Sequence, residues 1–449
     1  MSKMITAQKS SFPRKAHLYV LGCKVNQAEI DSVSNFLERQ GFEIDLNSES
    51  PDLVFINTCC VTDSAAGKSR RMVKRIYQKY PEAKMLVAGC LAEIDPSMIK
   101  MVNPKALVLG THAKDHFPDV FLGDMANISL LNSTPASSCK EFSDVWKTVK
   151  SSRSRAFLKV QDGCSHRCSY CIVPIARGPS RSLSLQNAIV SAQTLADTGY
   201  SEIAITGIHL GAYGRDLTPK LALEDLIAEL LTNTSNCRFR LSSIEPQELS
   251  TSLIHLISET PRICRHFHIP VQSGDDEILK KMNRPYNTEL VLRLTEKILE
   301  LIPDSCIGMD VMVGFPGETD SSFEKTKEFI KKSKCNYLHV FPFSPRKGTM
   351  AYKFSDRVSP EVARTRVQKL RSLSMQLKSA FINKLVGSRL EAVIESSTET
   401  PGSWGKCLTD NYIMIKIQGV GNESEKKIVT VKIDKNSNRG VYGSICNAK

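Results

Sequence analysis

The chain has 449 residues, 41% hydrophobic and 24% charged, a globular composition long enough for two to four domains. Lys and Arg exceed Asp and Glu by 60 to 47, a formal +13, which points to a polyanionic partner such as nucleic acid. No apolar run approaches the ~20 residues of a membrane span and the start of the chain lacks the apolar core of a leader peptide, so the expected setting is cytoplasmic, away from any membrane.

In chain order, "HLYVL" (17–21) reads as a strand, and the stretch after it has helical periodicity ending at Gly41. "DLVFIN" (52–57), "KMLVAG" (84–89) and "ALVLG" (106–110) are further strands, with a helix over about 63–80. This alternation predicts a parallel-sheet, flavodoxin-like α/β domain over 14–125. Residues 126–152 are polar and Ser/Thr-rich and read as a linker. A second alternating series has strands at 156–161, 202–207, 237–243, 265–271, 306–314 and 337–343. It predicts a partial, TIM-like (β/α)6 barrel over 153–383, with its active end at the carboxyl ends of the strands. Short strand-like pieces over 384–447, separated by Gly, Asn and Ser, predict a small all-β barrel. The expected whole is an α/β multidomain chain.

Without a secretion signal, the 14 cysteines read as metal ligands, catalysts or core fillers rather than a disulfide framework. Cys23 follows the first strand, Cys59 and Cys60 the second and Cys90 the third. In a parallel sheet these ends share one edge, where ligand sites form. "CSHRCSYC" places Cys164, Cys168 and Cys171 after the first strand of the second series, with Tyr170 before the last. Thiolates suit zinc or iron–sulfur clusters. Three of them leave one iron of a four-iron cluster open to substrate or cofactor; zinc with His166 as a fourth ligand is the alternative. Cys139, Cys237, Cys264, Cys306, Cys335, Cys407 and Cys446 read as core fillers or incidental thiols.

The Cys-x3-Cys-x2-Cys motif resembles the signature of radical S-adenosylmethionine (SAM) enzymes. With "LGCKVNQAE", "INTCCVTDSA", "VAGCLAE", "SSIEP", "HIPVQSGDDEIL", "DVMVGFPGET" and "FPFSPRKGT", nearly the whole chain resembles the radical SAM methylthiotransferases. "GCKVNQ" is most similar to the MtaB-type tRNA branch, and the last domain is similar to the TRAM domain, an OB-like RNA-binding barrel. The resemblance implies two 4Fe–4S clusters and SAM. Cys164, Cys168 and Cys171 are then ligands of the radical cluster, and Cys23, Cys59 and Cys90 of an auxiliary cluster that carries the sulfur. "NTC" selects Cys59, yet Cys60 is its neighbour. The implied reaction is methylthiolation at C2 of N6-threonylcarbamoyladenosine beside the anticodon; isopentenyladenosine or a ribosomal-protein aspartate are the rival targets. A silent iron–sulfur or zinc RNA-binding module is the non-enzymatic rival. Implied partners are a tRNA anticodon stem-loop and a flavodoxin- or ferredoxin-type electron donor. The sulfur donor is unspecified, and the chain is expected to be a monomer. A human-type relative would be expected to carry a C-terminal membrane anchor; from the ending "VYGSICNAK" a soluble bacterial form is expected instead.

Tyr170, Gly207, Ser243, Glu245, Gln272 and Gly314 lie at the active end of the barrel, as cofactor contacts or as turn residues. Arg177 and Arg181, in "ARGPSRS", suit phosphate or carboxylate contacts, or ordinary ion pairs. Lys68, Arg71, Arg75 and Lys79 form a basic stripe on one helix, suited to RNA phosphates, or a solvated face. The last domain offers Lys416, Lys426, Lys427, Lys432, Lys435 and Arg439, with Trp404, Tyr412 and Tyr442 to stack on bases or to fill the barrel's core.

Overall fold

The computed structural model describes residues 14–122, 131, 134–146, 150, 153–396, 404–419, 421 and 425–446. Its first body is a five-stranded, all-parallel sheet of β1 (Arg14–Val20), β2 (Phe42–Ile44), β3 (Leu53–Thr58), β4 (Lys84–Gly89) and β5 (Leu107–Leu109), in the order β2-β1-β3-β4-β5. This is the flavodoxin-like order. The β3 run is buried throughout, as a strand covered on both faces requires. Helices α1 (Lys24–Arg39), α2 (Asp63–Lys79) and α3 (Cys90–Ile94) follow β1, β3 and β4. The sequence reading missed β2, whose three residues are too few to show a period.

The second body has six parallel strands in an arc: β6 (Ala156–Lys159), β9 (Glu202–Thr206), β10 (Arg238–Leu241), β11 (His266–Gln272), β12 (Cys306–Val313) and β13 (Tyr337–Pro342). The short pair β7 (Gln161–Asp162) and β8 (Arg181–Ser182) sits at the edge. The arc is two three-stranded sheets joined by a bridge between Phe239 and Ile263. Every predicted strand of this series is present. The third body is a closed barrel of β14 (Arg389–Ser396), β15 (Gly405–Thr409), β16 (Met414–Ile417), β17 (Ile428–Ser437) and β18 (Gly440–Ile445). Among the described residues no helix is long and apolar enough to cross a membrane.

The described part of the expected linker is packed rather than free. Trp146 is buried in the first core, and its Nε1 donates to Asp115 Oδ1 at 2.7 Å. Phe142 packs against both the first and second cores. The polar composition hid these two aromatic anchors. The rest of the expected linker lies outside the described residues.

The last barrel also departs from expectation at Tyr412. The β15–β16 turn enters the amino-terminal end of the arc. Tyr412 stacks on His266 at 4.0 Å and on Tyr337 at 5.8 Å. Arg240 donates to the carbonyls of Thr409 and Asp410 at 2.9 and 3.0 Å, and Arg265 pairs with Asp410 at 2.6 Å. Tyr412 therefore closes the floor of the lumen and is not free to stack on a base. Trp404 and Tyr442 do form an edge-to-face pair at 4.8 Å on the outer surface, with Lys416 over the Tyr442 ring.

Candidate active site

Cys23, Cys59 and Cys90 directly follow β1, β3 and β4, three neighbouring strands. Strand order reverses between β1 and β3, the place where open α/β sheets bind ligands. A Cβ on Gly22 would stand 2.9 Å from Cys59 Cβ and 3.3 Å from its Sγ, so Cys59 points toward the loop that carries Cys23. Cys60 turns away. Its Sγ donates to the Cys90 carbonyl at 3.3 Å, among Ala66, Leu91, Ile172 and Ala176. The Cys60 thiol, with the Arg177 and Lys114 charges, draws the buried Cys90 thiol down to about 6 and favours its thiolate. Gly89 takes φ +94°, and a Cβ there would lie 2.4 Å from Thr58 O; glycine lets α3 start this close to β3.

Cys164, Cys168 and Cys171 lie between β7 and the helix Val173–Arg177, at the carboxyl end of the arc. Ile172, next to Cys171, packs in the same apolar cluster as Cys60 and Cys90. Cys90 of the first set and the residue beside Cys171 of the second thus share one apolar seam. Arg284 donates to Cys168 Sγ at 3.1 Å, to Tyr170 OH at 3.5 Å and to Pro270 O at 3.0 Å, and it also pairs with Glu245. Burial pushes the Glu245 carboxyl up, against the pull of Arg284. No spacing in the sequence marks Arg284, because the helix Asp276–Lys281 separates it from β11.

Cys164 Sγ lies 3.7 Å from His209 Nδ1, and His209 Nε2 lies 2.9 Å from Glu248. Burial lowers the His209 pKa, but the hydrogen bonds to Cys164 and Glu248 outweigh it and raise it to about 9. Donor atoms of Cys164, His166 and His209 converge within 4.8 Å. That group excludes Cys168 and Cys171, so zinc held through His166 would leave two of the three thiols unused.

The other candidate residues have varied surroundings. A Cβ on Gly207 would stand 2.8 Å from Gln161 Oε1. Glycine there makes room for Gln161, which accepts the His209 N–H at 2.7 Å. Gln272 sits at a register shift of β11 with φ +70°, and its buried Oε1 has no partner among the described residues. It is an acceptor still to be satisfied at the strand end, as a cofactor contact needs. Ser243 Oγ is 2.5 Å from His268 Nδ1. The Gly314 N–H donates to Glu318.

For Arg177 and Arg181 the structure takes the ion-pair reading over RNA phosphate contact, with the pairs buried rather than on the surface. Both are buried, and neither is free for phosphate. Arg177 pairs with Glu29 at 3.0 Å and Asp162 at 2.8 Å, and Arg181 with Asp162 at 3.2 Å. Lys114 and Lys159 each reach Glu29 at 2.8 Å. These charges lock the first body to the second. Lys68, Arg71, Arg75 and Lys79, in contrast, are all exposed along α2.

The Radical SAM superfamily matches residues 158–330, and the family described as Uncharacterized protein family UPF0004 matches residues 15–110. The threonylcarbamoyladenosine tRNA methylthiotransferase MtaB of Bacillus subtilis (strain 168) is 34% identical over 421 residues, 92% of each chain. The chain belongs to the radical SAM methylthiotransferase family. The tRNA-2-methylthio-N(6)-dimethylallyladenosine synthase of Clostridium botulinum (strain Loch Maree / Type A3) is 31% identical over 434 residues, 94% of this chain and 95% of that one. Among solved structures, the radical SAM methyltransferase TsrM from Kitasatospora setae shares the fold. Its TM-score is 0.51 at 15% identity, over 74% of this chain and 75% of that one. This methylthiotransferase therefore uses SAM and 4Fe–4S clusters, and its six thiols at two strand-end edges fit them. When bound, these groups supply one-electron chemistry at carbon and a reactive sulfur. Cys23, Cys59 and Cys90 at one edge and Cys164, Cys168 and Cys171 at the other would hold the clusters, with Arg284 against Cys168 and with Ile172, Ala176 and Leu91 walling the seam.

Proposed function

We propose that the chain methylthiolates C2 of N6-threonylcarbamoyladenosine, 3′ to the anticodon of tRNA, giving 2-methylthio-N6-threonylcarbamoyladenosine. In this reading Cys164, Cys168 and Cys171 hold the radical cluster, and Cys23, Cys59 and Cys90 the auxiliary one. Tyr170, Glu245 and Gln272 border the SAM site. The observation that carries the reading is the shared seam: Cys90 of one three-thiol set and Ile172, the neighbour of Cys171 in the other, pack in the same apolar cluster between two bodies. Positioned reactants of this kind convert a difficult encounter into a near-unimolecular step. The nearly full-length likeness to MtaB supports the threonylcarbamoyl branch. A flavodoxin- or ferredoxin-type protein is the proposed reductant, and the working unit is a monomer.

Mass spectrometry of tRNA nucleosides from cells with and without the gene tests this. Loss of the methylthio group from threonylcarbamoyladenosine alone is the expected result. Loss from the dimethylallyl nucleoside alone moves the chain to the other branch, and no change in either turns the search to a ribosomal protein.

The α2 stripe supplies the phosphate contacts of this reading. Replacing Lys68, Arg71, Arg75 and Lys79 together by Ala is expected to flatten the log affinity–log salt slope for an anticodon stem-loop by about 3, at roughly 0.7 per phosphate for single strands. An unchanged slope would show that the stripe is only a solvated face.

A further inference from the structure

Four polar side chains run in a row across the lumen of the arc. Ser243 Oγ lies 2.5 Å from His268 Nδ1, His268 Nε2 lies 3.0 Å from Asp310 Oδ1, and His339 Nδ1 lies 3.2 Å from that same oxygen. Their strand neighbours Phe267, Ile269, Met309, Val311, Leu338 and Val340 all belong to the core under the helices. Alternation along a strand therefore turns His268, Asp310 and His339 inward.

The row lies between two features already described. Below it is the ring floor, where His268 stacks over Tyr337 at 6.2 Å. Above it is the radical end: Ser243 is two residues from Glu245, the partner of the Arg284 that donates to Cys168. Exposure rises along the row, from 12% of the His268 side chain to 22% of Asp310 and 56% of His339. The row thus opens to solvent at His339. Oδ1 of Asp310 is the oxygen near both rings, hydrogen-bonded by His339 and 3.0 Å from His268 Nε2, which leaves Oδ2 as an acceptor beside the solvent-exposed His339 side chain.

The geometry points to a specificity subsite: Asp310 and His339, braced by His268 and Ser243, receive the polar N6 substituent of the target adenosine. This rests on the substrate reading above and deepens it. A threonylcarbamoyl group brings ureido N–H donors for Asp310 Oδ2 and a hydroxyl donor for the outer nitrogen of His339, which accepts while its Nδ1–H is given to Asp310. A dimethylallyl group brings none of these. It would take water from the row and give nothing back, which is how a hydrogen-bonding site rejects an apolar analogue. The subsite positions the base; the row makes no contact with either thiol set.

The test uses the full-length, iron-loaded enzyme and two synthetic anticodon stem-loops that differ only in the N6 group, threonylcarbamoyl or dimethylallyl. Products are counted by mass spectrometry at matched iron content for wild type, His339→Leu and Asp310→Asn. His339 is largely exposed, so its replacement leaves the core intact. The kcat/KM preference for the threonylcarbamoyl hairpin is expected to fall at least about tenfold in both variants, chiefly through KM, as expected for lost substrate hydrogen bonds. A wild type that prefers this hairpin, with both variants keeping its ratio, overturns the subsite alone. A wild type that prefers the dimethylallyl hairpin overturns the substrate reading and the subsite with it.

Discussion

Cys59→Ala is expected to leave the reconstituted enzyme with about half its iron, whereas Cys60→Ala keeps nearly all of it, since one of two four-iron clusters loses a ligand only in the first variant. The two residues are adjacent, but the end of β3 sends them to opposite sides. Cys59 faces Gly22 and the loop of Cys23, and Cys60 packs beneath Cys90 with Leu91, Ile172 and Ala176. Removing the Cys60 thiol deletes one weak hydrogen bond and a little packing, a cost of about 1 kcal/mol. It also removes the group that most favours the Cys90 thiolate, so slower reconstitution is compatible with full final loading. The measurement is iron per chain with the visible absorbance of each variant after anaerobic reconstitution. Iron lost from Cys60→Ala and kept by Cys59→Ala would exchange the two assignments.

The sequence showed most where one period dominates. The strand ends bearing Cys23, Cys59 and Cys90, and all six strands of the arc, came from short apolar runs and helical spacing alone. What stayed hidden depends on partners far apart in the chain. Arg177 and Arg181 had the composition of phosphate ligands; the β7–β8 pairing brings Asp162 to both, and only the docking of the first body gives Arg177 its Glu29 and Arg181 its Asp115. Glu29 did carry a local signal, standing on α1 at four residues from both Val25 and Val33, which are buried; a carboxylate on an inward face needs a cation. Tyr412 could not be read in advance, because its role depends on where one barrel meets the other. The row of His268, Asp310 and His339 spans three strands, and no window of sequence contains it.

Glu29→Gln is expected to destabilise the apoprotein by about 3–5 kcal/mol, the usual cost of breaking a buried ion pair from one side. Glu29 is the shared anion of Lys114, Lys159 and Arg177, each within 3.0 Å of its Oε1. Without its charge, Lys159, Arg177 and Arg181 keep Asp162 and the slightly more open Asp115 as their carboxylates, while the buried Lys114 loses the carboxylate it pairs with. Burial raises the carboxyl pKa of both Glu29 and Asp162, yet the neighbouring Arg177 and lysines outweigh it and hold both well below the usual carboxylate range. Their contribution is therefore complete above the unfolded-chain pKa of about 4, and it is lost as pH falls through the depressed folded values. The acid limb of the stability curve should flatten in Glu29→Gln. Because the pairs join α1 to β6 and to the helix Val173–Arg177, the loss should appear first as faster hydrogen exchange at that seam rather than in the C-terminal barrel. Arg177→Met alone should also destabilise, and the double variant should cost less than the sum, because each single change strands a charge that the double change removes. Strict additivity in urea midpoints would show that the two side chains do not act as a pair, and the seam would then owe its docking to Ala28, Phe157 and Ala204, the apolar contact beside them.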